Sequence, residues 1–130
     1  MPNYNIFPIA TSVLPGDVFY FFGSASAGDT ITPAQASRQF AMGYVPAAAG
    51  DPTALGVDFH FASSPTTPVV QIQVSNVDAD GSYITVYDST TDTNAGQNWH
   101  VDVPLGMYRF VRAKLVSVTG GGAFTAVGTR

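Results

Sequence analysis

Apolar and polar side chains alternate with a period of two through most of the chain. Leu55, Val57, Phe59 and Phe61 share one parity, with Asp58 and His60 on the other. Val70, Ile72 and Val74 alternate with Gln71 and Gln73, and Trp99, Val101 and Val103 alternate with His100 and Asp102. Each pattern predicts a strand with one face on a core and one in water. Phe40, Met42 and Tyr44 alternate with Ala41 and Gly43 in the same way. The turn Asp78-Ala79-Asp80-Gly81 leads into a strand from Ser82 to Asp88, and Ala123–Val127 forms the last one. The run DVFYFFG at 17–23 has too few polar positions for a half-exposed strand, so it is buried on both faces or covered by a partner.

The stretch 98–118 reads as two strands facing each other across a turn at Pro104-Leu105-Gly106. Its second strand, Met107 to Val118, changes phase: Tyr108 and Phe110 are apolar on one parity, Val111, Ala113 and Leu115 on the other. Either a β-bulge near Phe110 brings both sets to the core, or the strand is buried on both faces. Ser89–Gln97 reads as a surface loop and Gly120-Gly121-Gly122 as a hairpin turn.

Two segments depart from this pattern. Thr32-Pro33-Ala34-Gln35 has the form of a helix start, with Thr as cap and Pro at the first helical position, and predicts one short helix near 33–39. Residues 1–16 carry Pro2, Pro8 and Pro15, which remove ladder donors, yet also Tyr4, Ile6, Phe7, Ile9, Val13 and Leu14. They read as an extended N-terminal arm seeking an apolar surface on its own domain or on a neighbour. About eight short strands in residues 17–130 then form a single all-β domain, an antiparallel β-sandwich of jelly-roll type or, as the alternative, an immunoglobulin-like sandwich.

Composition sharpens this picture. Charged residues are only 11% of the 130 residues, against about 25% in ordinary soluble domains, so the surface is mostly neutral and polar. A surface of that kind suits a protein built into an assembly or facing the extracellular medium. All nine acids are Asp, which favours turns over helices. A net charge of −4 argues against a nucleic-acid partner. Three of the five cations, Arg109, Arg112 and Lys114, sit in one strand and read as a solvated or partner-facing edge. The absence of cysteine excludes thiolate catalysis, Cys-ligated zinc and disulfides, and fits synthesis in a reducing cytoplasm. No run is long and apolar enough to predict a membrane span, and the N-terminus does not read as a signal peptide.

Candidate chemistry is sparse. Asp78-x-Asp80-Gly81 has the start of a calcium loop, but the twelfth position is Ser89, so a β-turn is predicted and no metal. His60 and His100 stand near Asp58 and Asp102, and would converge only if their strands were adjacent. No nucleophile elbow, P-loop, zinc-protease or dinucleotide motif occurs, and no cofactor or catalytic residue is predicted. Trp99 shares the parity of Val101 and Val103, which puts it in the core rather than on the surface as a sugar platform.

The closing half, GSYITVYDS followed by NWHVDVPLGMYRFVRAKLVSVTGGGAFTAV, resembles the small all-β structural proteins of tailed bacteriophages, in particular capsid cement or decoration proteins. The features carrying the resemblance are the Tyr108–Arg112 strand, the Gly120–Gly122 turn and the final strand, within residues 80–130. It implies a non-enzymatic virion protein, made in the host cytoplasm. Such a protein binds the outer face of a shell of major capsid protein, clamps neighbouring subunits, and is itself a homo-oligomer, dimer or trimer. The partner-binding residues expected on this reading are Tyr4, Ile6, Phe7, Ile9, Val13 and Leu14 of the arm, with Arg112 and Lys114. The alternative is a carbohydrate- or receptor-binding module, and a small hydrolase or lyase on the same fold is a third possibility.

Overall fold

The computed structural model describes residues 11–13, 16–31, 34–42, 54–104 and 108–130. Ten strands run in order: β1 (Thr11–Val13), β2 (Val18–Phe22), β3 (Gln35–Ala36), β4 (Phe40–Met42), β5 (Ala54–Phe61), β6 (Pro65–Ser75), β7 (Ile84–Asp88), β8 (Asn98–Pro104), β9 (Phe110–Gly120) and β10 (Phe124–Thr129). They form two sheets, β1-β4-β9-β6-β7 with β3 also on β9, and β2-β10-β5-β8. All pairings are antiparallel except β1 with β4. The chain is an all-β sandwich, as the alternation predicts.

The core lies where the two apolar parities meet. Leu55, Val57, Phe59 and Phe61 of β5 face Val70, Ile72 and Val74 of β6 and Val111, Ala113 and Leu115 of β9. Trp99 is 6% exposed and packs on Phe59 and Phe61, with ring centroids 4.8 and 6.2 Å away, so it is a core residue. In β2 the register with β10 jumps between Tyr20 and Phe22, which makes Phe21 the extra residue of a bulge. The bulge turns Phe21 and Phe22 both inward. Phe19 and Phe21 then pack on Phe40, and Phe22 on Phe124. The uninterrupted apolar run thus comes from a local flip of the strand.

Several expectations are corrected. No helix forms near 33–39 among the described residues: Gln35 and Ala36 pair with Leu115 and Lys114 of β9, and Ala34 takes a left-handed φ of 67°. Ser37 N–H donates to the Ala113 carbonyl at 2.8 Å, and Ala113 N–H to Ser37 Oγ at 2.9 Å. Those ladder bonds to a preformed strand outweigh two isolated helical turns, whose nucleation is unfavourable. Thr11–Val13, read from the sequence as arm, form β1, and Val13 is buried at 1% exposure in the chain's own core. The remaining arm positions Tyr4, Ile6, Phe7, Ile9 and Leu14 lie outside the described residues.

The strands 98–104 and 110–120 do not face each other as a hairpin. β8 belongs to one sheet and β9 to the other. Gly120–Gly122 likewise does not close a hairpin; it carries the chain from β9 across to β10, with φ of +70°, +90° and +68°. At Gly121 a Cβ would stand 2.7 Å from the Phe61 ring, so close backbone approach adds to the need for glycine. Of the two alternatives for this strand, the bulge near Phe110 is not found, since β9 pairs regularly from Phe110 to Leu115; the register with β6 shifts further along, with an extra residue in β6 between Thr66 and Val69 and then Val116 as the extra residue in β9. Buried on both faces is the description that fits Val111–Ala113.

Candidate functional site

The outer surfaces of the two sheets differ in character. On the β2-β10-β5-β8 sheet, β5 and β8 are adjacent, in a register that sets Asp58 opposite His100 and His60 opposite Asn98. The convergence conditional on that adjacency therefore occurs for three of the four residues. His100 Nδ1 lies 2.7 Å from Asp58 Oδ1, and its Nε2 lies 2.9 Å from Asp102 Oδ1. His60 turns away to pair with Asn98. A Cβ on Gly56 would come 3.1 Å from His100 Cε1, so the glycine leaves the floor on which the imidazole rests.

With a carboxylate at each ring nitrogen, the imidazolium satisfies both contacts and the neutral ring only one. The bond to Asp102, then that to Asp58, raises the His100 pKa. All three side chains are more than half exposed, so water screens the arrangement heavily. Both ring nitrogens are already engaged, which leaves His100 poorly placed to take a proton from a substrate. Among the described residues no group of three His, Asp or Glu is arranged to hold a metal ion.

On the other sheet, β9 is central, so Arg112 and Lys114 do not stand on the solvated or partner-facing edge expected for them, whereas Arg109 lies just before the strand and is exposed. Arg112 is buried, with a side-chain exposure of 6%. Its Nε donates to Gln73 Oε1 at 2.8 Å and its Nη1 to Asp80 Oδ1 at 2.6 Å. The guanidinium carbon sits 4.1 Å from the centre of the Tyr83 ring. Tyr83 in turn donates to Asp78 Oδ1 at 3.0 Å, and Gln39 Nε2 to Asp78 Oδ2 at 3.3 Å. Burial, followed by the Asp78 carboxylate, pushes the Tyr83 hydroxyl well above its ordinary range, which keeps it a donor.

The Asp78–Asp80 turn, weighed from the sequence as a calcium loop, is thus folded over the sheet as a lid on one arginine. Arg112 is consumed inside the domain and leaves the list of partner-binding residues. Lys114 is half-buried, in register with Ala36 on one side and Gln71 on the other. Sequence spacing gives no sign of the Arg112 cage, whose members come from the approach to β4, from β6, from the β6–β7 turn and from β9.

The lateral edges complete the inventory. β7 ends its sheet and pairs only with β6 among the described residues. Ile84 and Val86 on it are 49% and 37% exposed, and Val77 in the preceding turn is 60% exposed. Tyr87, between Val86 and Asp88, points inward instead and accepts a hydrogen bond from Trp99 Nε1 at 2.8 Å. The register with β6 jumps at Val86, so the strand bulges there. On the opposite flank Val18 of β2 is 61% exposed.

These features define the class: an all-β sandwich with one polar His–Asp face, one arginine-centred face and an aliphatic edge. No protein-family model, no curated protein and no solved structure matches the chain.

Proposed function

We propose that the protein is a structural component of a bacteriophage virion, a jelly-roll sandwich that binds the outer surface of the capsid and stabilises it by holding neighbouring subunits together. The observation that carries this reading is the β7 edge. Proteins that work alone blunt such edges with Lys, Pro, inward charges or bulges; β7 has the bulge at Val86 but no Lys or Pro, and its exposed positions are Ile84, Thr85 and Val86. An aliphatic edge on a domain with only 11% charged residues suits a chain whose surface is covered in an assembly. The resemblance of residues 80–130 to capsid decoration proteins points the same way, and on this reading the role is non-enzymatic.

A second reading, a carbohydrate- or receptor-binding module, draws on the polar face formed by Asp58, His60, Asn98, His100 and Asp102. It is the weaker one, because Trp99 is buried and supplies no stacking platform there. The test is co-sedimentation of the protein with empty capsids beside a glycan-binding screen. Saturable binding to shells that is lost in Ile84→Asp supports the structural role. Glycan binding lost in His100→Ala, with no shell binding, replaces it with the second.

A further inference from the structure

We propose that His100, Asp58 and Asp102 form a proton-operated clasp that fastens the edge strand β8 to β5 and releases it as pH rises. The inference goes beyond the assembly role and does not rest on it. β8 ends its sheet and pairs only with β5 among the described residues. On the outer face the cross-strand pairs include Gly56–Asp102, Asp58–His100 and His60–Asn98. None of these sets one apolar side chain against another, so polar contacts are what join the two strands on that side. His60 and Asn98 keep theirs in either protonation state, because an imidazole with a proton on Nδ1 donates to Asn98 Oδ1 whether the ring is charged or neutral. His100 lacks that freedom.

The two contacts of His100 respond differently to movement of β8. Asp102 lies two residues along the same strand and travels with the imidazole, its Oδ1 2.9 Å from Nε2. Asp58 stands on β5, its Oδ1 2.7 Å from Nδ1, and is left behind when β8 lifts. The imidazolium donates to both carboxylates while β8 is docked and to Asp102 alone once it opens, so opening costs a charge-assisted bond. The neutral ring has one proton to donate and satisfies one carboxylate in either position, with a bare lone pair facing the other while docked. Opening then costs no side-chain bond. Among the described residues, the other groups facing the ring are few. β5 adds His60, β8 adds Asn98, and β10 presents the uncharged Thr125, Val127 and Thr129. Tyr20 of β2 stands at the far end of the row Tyr20–Val127–Asp58–His100. The bonds to Asp102 and Asp58 raise the pKa of His100, the sign that a docked state holding the proton requires. The clasp is therefore closed below the free imidazole value of about 6.5 and gives way as pH rises through the docked-state value.

Hydrogen–deuterium exchange of the β8 amides in the full chain, corrected for intrinsic exchange and measured at low salt, reads this opening directly. From about one pH unit below the free imidazole value to about two above it, opening of β8 is expected to rise about two- to fivefold, the size an exposed ion pair supports. The amides of β6 and β9 should not follow. His100→Ala should leave β8 at the looser level at both pH values. Asp102→Asn should do the opposite and hold β8 docked at both, because the Asn amide donates to the bare Nε2 and lets the neutral ring keep its bond to Asp58. Both side chains are more than half exposed, and circular dichroism checks that each variant is folded. The opposite signs separate a clasp from a merely structural contact, whose loss would loosen β8 in both variants. Exchange of β8 that does not change with pH in the unsubstituted chain overturns the proposal. So does a pH response that persists in either variant.

Discussion

Arg112 Nη1 donates to Asp80 Oδ1 at 2.6 Å, joining the centre of β9 to the β6–β7 turn 32 positions earlier in the chain. The pair is lopsided: the arginine side chain is 6% exposed and the aspartate 71%. The guanidinium therefore depends on its protein partners, whereas the carboxylate keeps most of its water. Arg112→Ala leaves Gln73 Oε1 without its donor and removes the cover over Tyr83, and should cost about 2–4 kcal/mol in a denaturant melt. Asp80→Ala should cost no more than about 1 kcal/mol, since water can reach the vacated position. Equal losses in the two variants would contradict this asymmetry.

The Trp99 indole donates to the Tyr87 hydroxyl at 2.8 Å, and Tyr87 donates onward to Asp92 Oδ2 at 2.8 Å, bridging the flank where β7 and β8 approach. Trp99→Ala should destabilise the domain by about 3–5 kcal/mol through the cavity left beside Phe59 and Phe61. Tyr87→Phe keeps the ring and removes only the bridge, so about 1–2 kcal/mol is expected. A Trp99→Ala loss below 1 kcal/mol, read by urea denaturation, would place the indole outside the core.

His100 supplies the pH dependence. Its pKa is raised by Asp102 and Asp58, so the stabilisation it contributes is complete below the unfolded-state value of about 6.5 and is lost as pH rises through the folded value. Asp88 acts oppositely: the Thr90 backbone N–H, the Thr90 hydroxyl and the Gln71 amide lower its pKa. Its contribution is present above the unfolded carboxylate value and lost as pH falls through the folded one. Titration of the imidazole signals by NMR should show the His100 midpoint moving down in Asp102→Asn. An unchanged midpoint would mean the carboxylates do not hold the proton.

Much of this fold can be read from alternation alone, because β5 and β8 each bury one parity and wet the other, and β6 buries Val70, Ile72 and Val74 as its alternation predicts, although Gln73 and Ser75 on its other parity are buried too. The failures share one cause, namely partners distant in sequence. The capping pattern at Thr32–Gln35 is a local signal, overridden when Gln35 and Ala36 find β9. Arg112 resembles a surface cation until the turn carrying Asp80 and Tyr83 folds over it. Phe21 and Phe22 break the period because of a bulge that only the β10 register reveals. The approach of Asp58 to His100 follows from the pairing of β5 with β8, and no spacing within either strand encodes it.

Gly121 joins the sheets under two constraints at once, a φ of +90° and the Phe61 ring against its α-carbon. Gly121→Ala should therefore cost more than the ~1 kcal/mol typical of a left-handed glycine position, because the ring must also move. Gly81 provides the control, since a Cβ there meets nothing within 4 Å and its φ is ordinary. Gly81→Ala should change the melting temperature little. Equal effects at the two glycines would show that Phe61 yields freely.

The two ends of the described chain meet where Val13 lies beside Arg130. Val13 is buried in the core, and its carbonyl accepts a hydrogen bond from Arg130 Nη1 at 2.8 Å. Gly16 N–H donates to the Arg130 carbonyl at 2.9 Å, and Arg130 N–H to the Asp17 carbonyl at 3.1 Å. This latch ties β1 to the end of β10 and holds the start of β2 beside it. Val13→Ala should cost about 1.5–3 kcal/mol, from two lost methyl groups and the space they leave. Removal of residues 1–13 should destabilise the isolated domain strongly, since it takes away both Val13 and the Arg130 acceptor. Removal of residues 1–10 spares the latch, and if the arm belongs to a neighbouring copy the dilute domain should then melt within a degree or two of the full chain. A shorter deletion as damaging as the longer one would assign the apolar residues before Thr11 to the domain's own core.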